Sequence, residues 1–206
     1  MDSLPLVFSS GWASGVNAYL VVLVLGIADR VAPAAEIPDA LHRWDVLGVA
    51  CFMYAMEFVA DKIPYVDSTW DAISTAIRPT SGAVIGVLMA GDADSLEQAV
   101  YGVVGGGTAL LSHLVKAGSR LAINSSPEPV TNIGASLAED ITVFALVWFA
   151  IEHPRAAAAV AAVLLVLGLL MLYFVAKLVR RGWRRWKRRG DPAVSQGPTN
   201  PGSPAG

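Results

Sequence analysis

SLPLVFSSGWASGVNAYLVVLVLGIA, from Ser3 to Ala28, runs for 26 residues without a charged side chain. A helix of that length exceeds the roughly 20 residues that cross about 30 Å of hydrocarbon. The bilayer is therefore the expected solvent, and this first span is expected to be tilted or broken. Met1-Asp2-Ser3 is not a cationic leader and the apolar run outlasts a signal-peptide core, so the segment reads as a retained span. Gly11 and Gly15 stand four apart, the small-xxx-small spacing that lets helix backbones approach in lipid. Asn17 should face protein, either bonding a neighbouring helix or lining a pathway.

Composition agrees. Of the 206 residues 54% are hydrophobic and 16% charged, against roughly 25% charged in a soluble domain, and mean hydropathy is +0.53. The net charge of -2 hides a division: eight of fifteen Lys and Arg lie between Lys177 and Arg189, while sixteen of seventeen Asp and Glu precede them. The single Cys51, within VACFMYAM, can form no internal disulfide and reads as a buried packing residue. At the other end, Ala156 to Ala176 gives 21 uncharged residues, a plain final span. The run KLVRRGWRRWKRR after it marks a cytoplasmic face and attracts anionic lipid at about 1 kcal/mol per cation. Nucleic acid is not expected as a partner. Residues after Gly190, rich in Pro, Gly, Ser and Asn, are expected to be disordered. The domain reading is 1–180 transmembrane, then 181–206 as a basic and disordered cytoplasmic tail.

Charge concentrates in EFVADKIPYVDSTWDAISTAIRP, Glu57 to Pro79. Ionisable groups beside membrane-length apolar runs default to a functional reading. The preceding span, Asp45 to Lys62, has an uncharged part of only 11 residues, so Glu57 lies within the membrane or the helix does not cross fully. Glu57 and Asp61 share a helix face, where low dielectric would push at least one of them toward its neutral form. Pro64 predicts a turn. Asp67 suits the N-cap of a re-entrant or interfacial helix from Ser68 to Ile77 that places Asp71 and Arg78 on one face and stops at Pro79.

A third span is expected from Thr80 to Gly91, with Gly82, Gly86 and Ala90 on a close-packing face. Asp94 or Ser95 caps a fourth, from Gln98 to Val115, which His113 and Lys116 end. Its glycines Gly102, Gly105, Gly106 and Gly107 allow either a close crossing or unwinding. A second polar loop, GSRLAINSSPEP, carries Arg120, Asn124 and Glu128 and continues through Asn132, Ser136, Glu139 and Asp140 into the fifth span. The order apolar helix, proline-bearing charged segment, short apolar helix occurs twice, the pattern of an internal repeat, though residue identity between the halves is too low to establish one.

The expected fold is thus an all-α integral membrane protein of about six transmembrane helices, some short or interrupted. Six spans put both termini in the cytoplasm of a cell with an inner membrane, and the positive charge then falls inside. Both polar loops share that side. One site there would collect Asn17, Glu57, Asp61, Lys62, Asp67, Asp71, Arg78, Lys116, Arg120, Asn124, Glu128, Asn132, Glu139 and Asp140. SSGWASGVNAYL, EFVADKIPYVDSTWD with IRPTSGA, and NSSPEPVTNIGASLAED resemble an uncharacterised family of small bacterial integral-membrane proteins classed as a domain of unknown function, over about residues 8 to 152. The resemblance implies a membrane fold and no chemistry.

Enzyme motifs are missing: there is no G-x-S-x-G, H-E-x-x-H, Walker loop or C-x-x-C. An enzyme is not expected, nor a cofactor. The spacing of Asp61, Asp67 and Asp71 keeps a metal-dependent lipid-headgroup enzyme as one alternative, and a non-transporting scaffold or assembly partner as another. A transporter or channel for a small solute or ion is the leading expectation. Partners expected are membrane lipids, anionic headgroups at the basic tail, and a second copy of the chain as an alternative to a monomer.

Overall fold

The computed structural model describes residues 3–63, 65–124 and 129–189, and all regular structure among them is helical. Six α-helices follow one another: α1 Leu4–Val31, α2 Trp44–Ala60, α3 Val66–Ala90, α4 Ser95–Asn124, α5 Pro129–Glu152 and α6 Pro154–Arg189. A 3₁₀ turn, Asp39–His42, joins α1 to α2. Four helices, α1, α3, α5 and α6, are long and apolar enough to cross a membrane.

The first helix is the hub, in contact with each of the other five. Small residues set its approach to α4. A Cβ placed on Gly15 would fall on the Ala109 carbonyl and the Ser112 hydroxyl, and Ser112 Oγ donates to the Trp12 carbonyl at 2.7 Å. Gly105 of α4 is where three backbones meet, since a Cβ on Gly11 of α1 or on Gly82 of α3 would each come within 2.6 Å of its carbonyl oxygen. The glycine run therefore closes a crossing and does not unwind. Gly105 and Gly106 face neighbours, and Gly107 faces open space.

Helix α3 buries one stripe that changes character along its length: Asp67, Asp71, Ser74 and Arg78, then Gly82, Ile85, Gly86 and Met89. The buried residues of α4 run the opposite way, from Tyr101 and Ala109 to Ser112, His113, Lys116 and Arg120. Because α3 and α4 pack antiparallel, their charged ends coincide. Asp94 caps α4 as expected, accepting from the Leu96 and Glu97 N–H groups at 2.9 Å. The turn after α2 is also present, with Tyr65 at φ 71 just before α3 starts.

Several expectations are corrected. Pro79 lies inside α3 and ends nothing; in lipid a helix end strands several backbone groups where an internal proline strands one, so the continuous helix is cheaper. Asp67 is not the N-cap but a buried residue of the first turn of α3. The fourth helix continues to Asn124 and the fifth starts at Pro129, so Arg120, Asn132, Ser136, Glu139 and Asp140 are helical, not loop. Their polarity marks pairing inside the bundle and not contact with water. Cys51 is exposed, because it lies on an outward face of α2, and apolar neighbours in sequence do not decide which face of a helix is covered. The basic run stays helical as part of α6 to Arg189. The tail after Gly190 lies outside the described residues.

Candidate functional site

The site is built on a fracture. Asn17 sits in the middle of α1 with φ -152 and ψ 95, an extended residue between two helical segments. An interruption of this kind leaves carbonyls at the end of the first segment and N–H groups at the start of the second without intrahelical partners. Side chains replace them. Asn17 Oδ1 accepts the Leu20 N–H at 3.0 Å, capping the second segment. The Val16 carbonyl accepts from Lys116 Nζ at 3.0 Å, and the Gly15 carbonyl lies 3.4 Å from Arg78 Nη1. Two cations thus sit at the negative end of the first half-helix.

Around the fracture the acids and bases interlock. Arg78, 1% exposed, donates through Nη2 to Glu57 Oε1 at 2.7 Å, and its Nη1 lies 3.0 Å from Asp71 Oδ1, close enough for ion pairing but out of line for a hydrogen bond. Lys116 donates to Asp61 Oδ2 at 2.6 Å and lies 3.5 Å from Glu57 and 3.6 Å from Glu139. Arg120 grips Glu139 with Nε and Nη2, at 3.2 and 2.6 Å, the bidentate fork that suits a guanidinium. Its Nη1 donates to Asn132 Oδ1 at 2.6 Å and stands 3.8 Å from Asp67. Asn132 in turn donates to the Asp61 carbonyl at 3.0 Å. Lys62, half-buried, caps the edge by donating to the Phe58 carbonyl at 2.9 Å and to Ser136 Oγ at 3.4 Å.

Twelve of the fourteen residues expected at one site therefore do meet: Asn17, Glu57, Asp61, Lys62, Asp67, Asp71, Arg78, Lys116, Arg120, Asn132, Glu139 and Asp140, the last accepting from Asn17 Nδ2 at 3.0 Å. Asn124 ends α4, but its side chain lies outside the described residues, as does all of Glu128. His113 was not anticipated. Fully buried, it accepts from Arg78 Nη1 at Nδ1, 2.9 Å away, and since a guanidinium can only donate, the ring proton belongs on Nε2, which faces Thr75 Oγ1 at 2.9 Å. The signal was there: His113, Lys116 and Arg120 fall at i, i+3 and i+7, one helix face.

Asp61, Asp67 and Asp71 do not converge as a metal-ligand set. Among the described residues, the trio of metal-capable side chains whose ligand atoms do converge is Asp29, Asp39 and His42, in the connector after α1. There Asp29 is bonded to His42 Nδ1 and accepts the Ala34 N–H at 2.9 Å. Beside the lattice, a cavity of about 230 Å³ reaches Lys116 and Glu139 between walls that include Trp12, Val115, Leu164 and Leu165.

These features define an all-helical protein with membrane-length helices and a charged lattice buried at a broken central helix. The chain belongs to the family described as domain of unknown function DUF4126, whose model matches residues 4–173. That match takes in most of α6, beyond the expected limit near residue 152. Neither a curated protein nor a solved structure matches it.

Proposed function

We propose that this chain is a multi-span membrane protein that moves a small solute or ion, with the lattice at Asn17 as its site. The break in α1 carries the reading. Irregular backbone at membrane depth is tolerated only where protein or a water-filled cavity covers it, and interrupted helices whose ends face charge are where transporters place their sites. The cavity at Lys116 and Glu139 supplies adjoining space. Six crossings follow if α2 and α4 also traverse, which puts the ends of α2 and α4 and the starts of α3 and α5, hence the lattice, toward the side of the basic run Lys177–Arg189. The positive-inside rule makes that side cytoplasmic. The pairs α2–α3 and α4–α5, each feeding charge from a helix end and the next helix start, support an internal repeat. Anionic lipid is the partner proposed for the basic run.

The test is flux. Full-length protein in vesicles loaded with a pH-sensitive dye, with imposed sodium, potassium and proton gradients, should dissipate at least one gradient faster than empty vesicles, and Lys116→Ala should abolish the difference. A reporter fused after Gly190 should be active only as a cytoplasmic fusion. Proteoliposomes as tight as empty ones would favour the scaffold reading, which the close pairing of the lattice also supports. No catalytic role is proposed.

A further inference from the structure

The lattice sets six carboxylates, Glu57, Asp61, Asp67, Asp71, Glu139 and Asp140, against four cations, Lys62, Arg78, Lys116 and Arg120. Five of the acids have an Arg or Lys nitrogen at 2.6 to 3.8 Å. Asp140 is the sixth. It is 9% exposed, and among the described residues no Lys or Arg reaches it. Its Oδ1 accepts from the neutral Asn17 amide at 3.0 Å, and its buried Oδ2 has no hydrogen-bond partner. The groups within electrostatic range are Asp61 and Lys62 after α2, Tyr54 of α2 and Lys116 of α4, and Glu139 is its neighbour in the chain.

We propose that Asp140 is the proton-binding carboxyl of this site, so that the species moved or coupled is H⁺; this rests on the transport reading above. Binding forms an O–H bond at Oδ2, with the proton delivered by water from one side of the membrane, and release to water on the other side breaks it. Nothing else is consumed. The other acids are poorly suited, because neutralising Glu57 or Glu139 would strip Arg78, Lys116 or Arg120 of a counter-charge in a buried place. Asp140 can change state without orphaning a cation, and the Asn17 bond to Oδ1 serves the acid and the carboxylate alike.

Infrared spectroscopy of the purified full-length protein in nanodiscs tests this directly. Wild type at neutral pH should show the C=O stretch of a protonated carboxylic acid, which fades as pH is raised, and Asp140→Asn should lose that band while melting at the wild-type temperature. Asn17→Ala, which keeps the carboxyl but removes its donor, should shift the band. Absence of the band in wild type, which needs no variant at all, or its full retention in Asp140→Asn, overturns the proposal. A band lost in Asp140→Asn together with wild-type vesicles that dissipate none of the imposed gradients leaves the proton site standing and removes the transport reading.

Discussion

Helices α1 and α6 are both long enough to cross a membrane, and the most apolar stretch of α6 is more apolar than that of α1, yet 78% of that stretch of α1 is buried in protein and 11% of that of α6. In water the order would be reversed. In the membrane setting proposed above, lipid tails solvate Leu and Val as well as a protein interior does, so no hydrophobic force drives α6 inward, and the helix drawn to the centre is the one with small residues and polar atoms to satisfy. The middle of α1 offers Ser9, Ser10, Gly11, Ser14, Gly15 and Asn17, all buried. Helix α6 offers Val163, Leu167, Leu170 and Phe174 to the outside.

The sharpest break of this contrast is in the charges. Arg78→Ala removes the cation paired with Asp71 and the nearer of the two paired with Glu57, which keeps Lys116 at 3.5 Å, at about 3–5 kcal/mol for a broken buried pair; Arg184→Ala on the exposed end of α6 should stay within about 0.5 kcal/mol. Thermal unfolding in detergent separates the two, and equal melting points would mean the lattice is not sealed. Next comes packing. Gly15→Leu collides with α4 backbone and should lose about 1–3 kcal/mol or more, whereas Gly107→Leu, facing open space, should melt as wild type does. Smallest is the loss of apolar bulk: Leu170→Ala on α6 should cost under about 1 kcal/mol, because lipid refills the gap, where a buried Leu→Ala in a soluble core costs about 2–5 kcal/mol. A larger loss would show that α6 is covered, by a second copy of the chain for instance.

What the sequence disclosed follows the same logic. That the first helix is tilted or broken was legible from its 26 uncharged residues, too many for one straight crossing, whereas the place of the break, at Asn17, was not. The gathering of Glu57, Asp61, Arg78, Lys116, Arg120 and Glu139 was legible because charge in lipid has few places to go. Pro79 and GSRLAINSSPEP misled for a common reason: in water prolines and polar runs mark loops, but here Arg120 and Asn132 find partners inside the bundle and extend the helices instead. Cys51 misled by the converse error, apolar surroundings taken for burial. His113 was read only as a helix end, because its partner Arg78 is 35 residues away and the face it shares with Lys116 and Arg120 was not followed.

The bond that completes the break in α1 joins Asn17 to Asp140 across 123 residues of chain. At about 5–20 residues per second of synthesis, roughly 6–25 seconds pass between the appearance of one partner and the other. For that interval α1 has its two halves but not its final clamp, and Lys116, which takes the Val16 carbonyl, is itself 100 residues downstream. Helix α1 thus acquires its full set of native contacts only after α4 and α5 have been made. Until α4 and α5 arrive, the Val16 carbonyl and the Asn17 side-chain amide lack these partners.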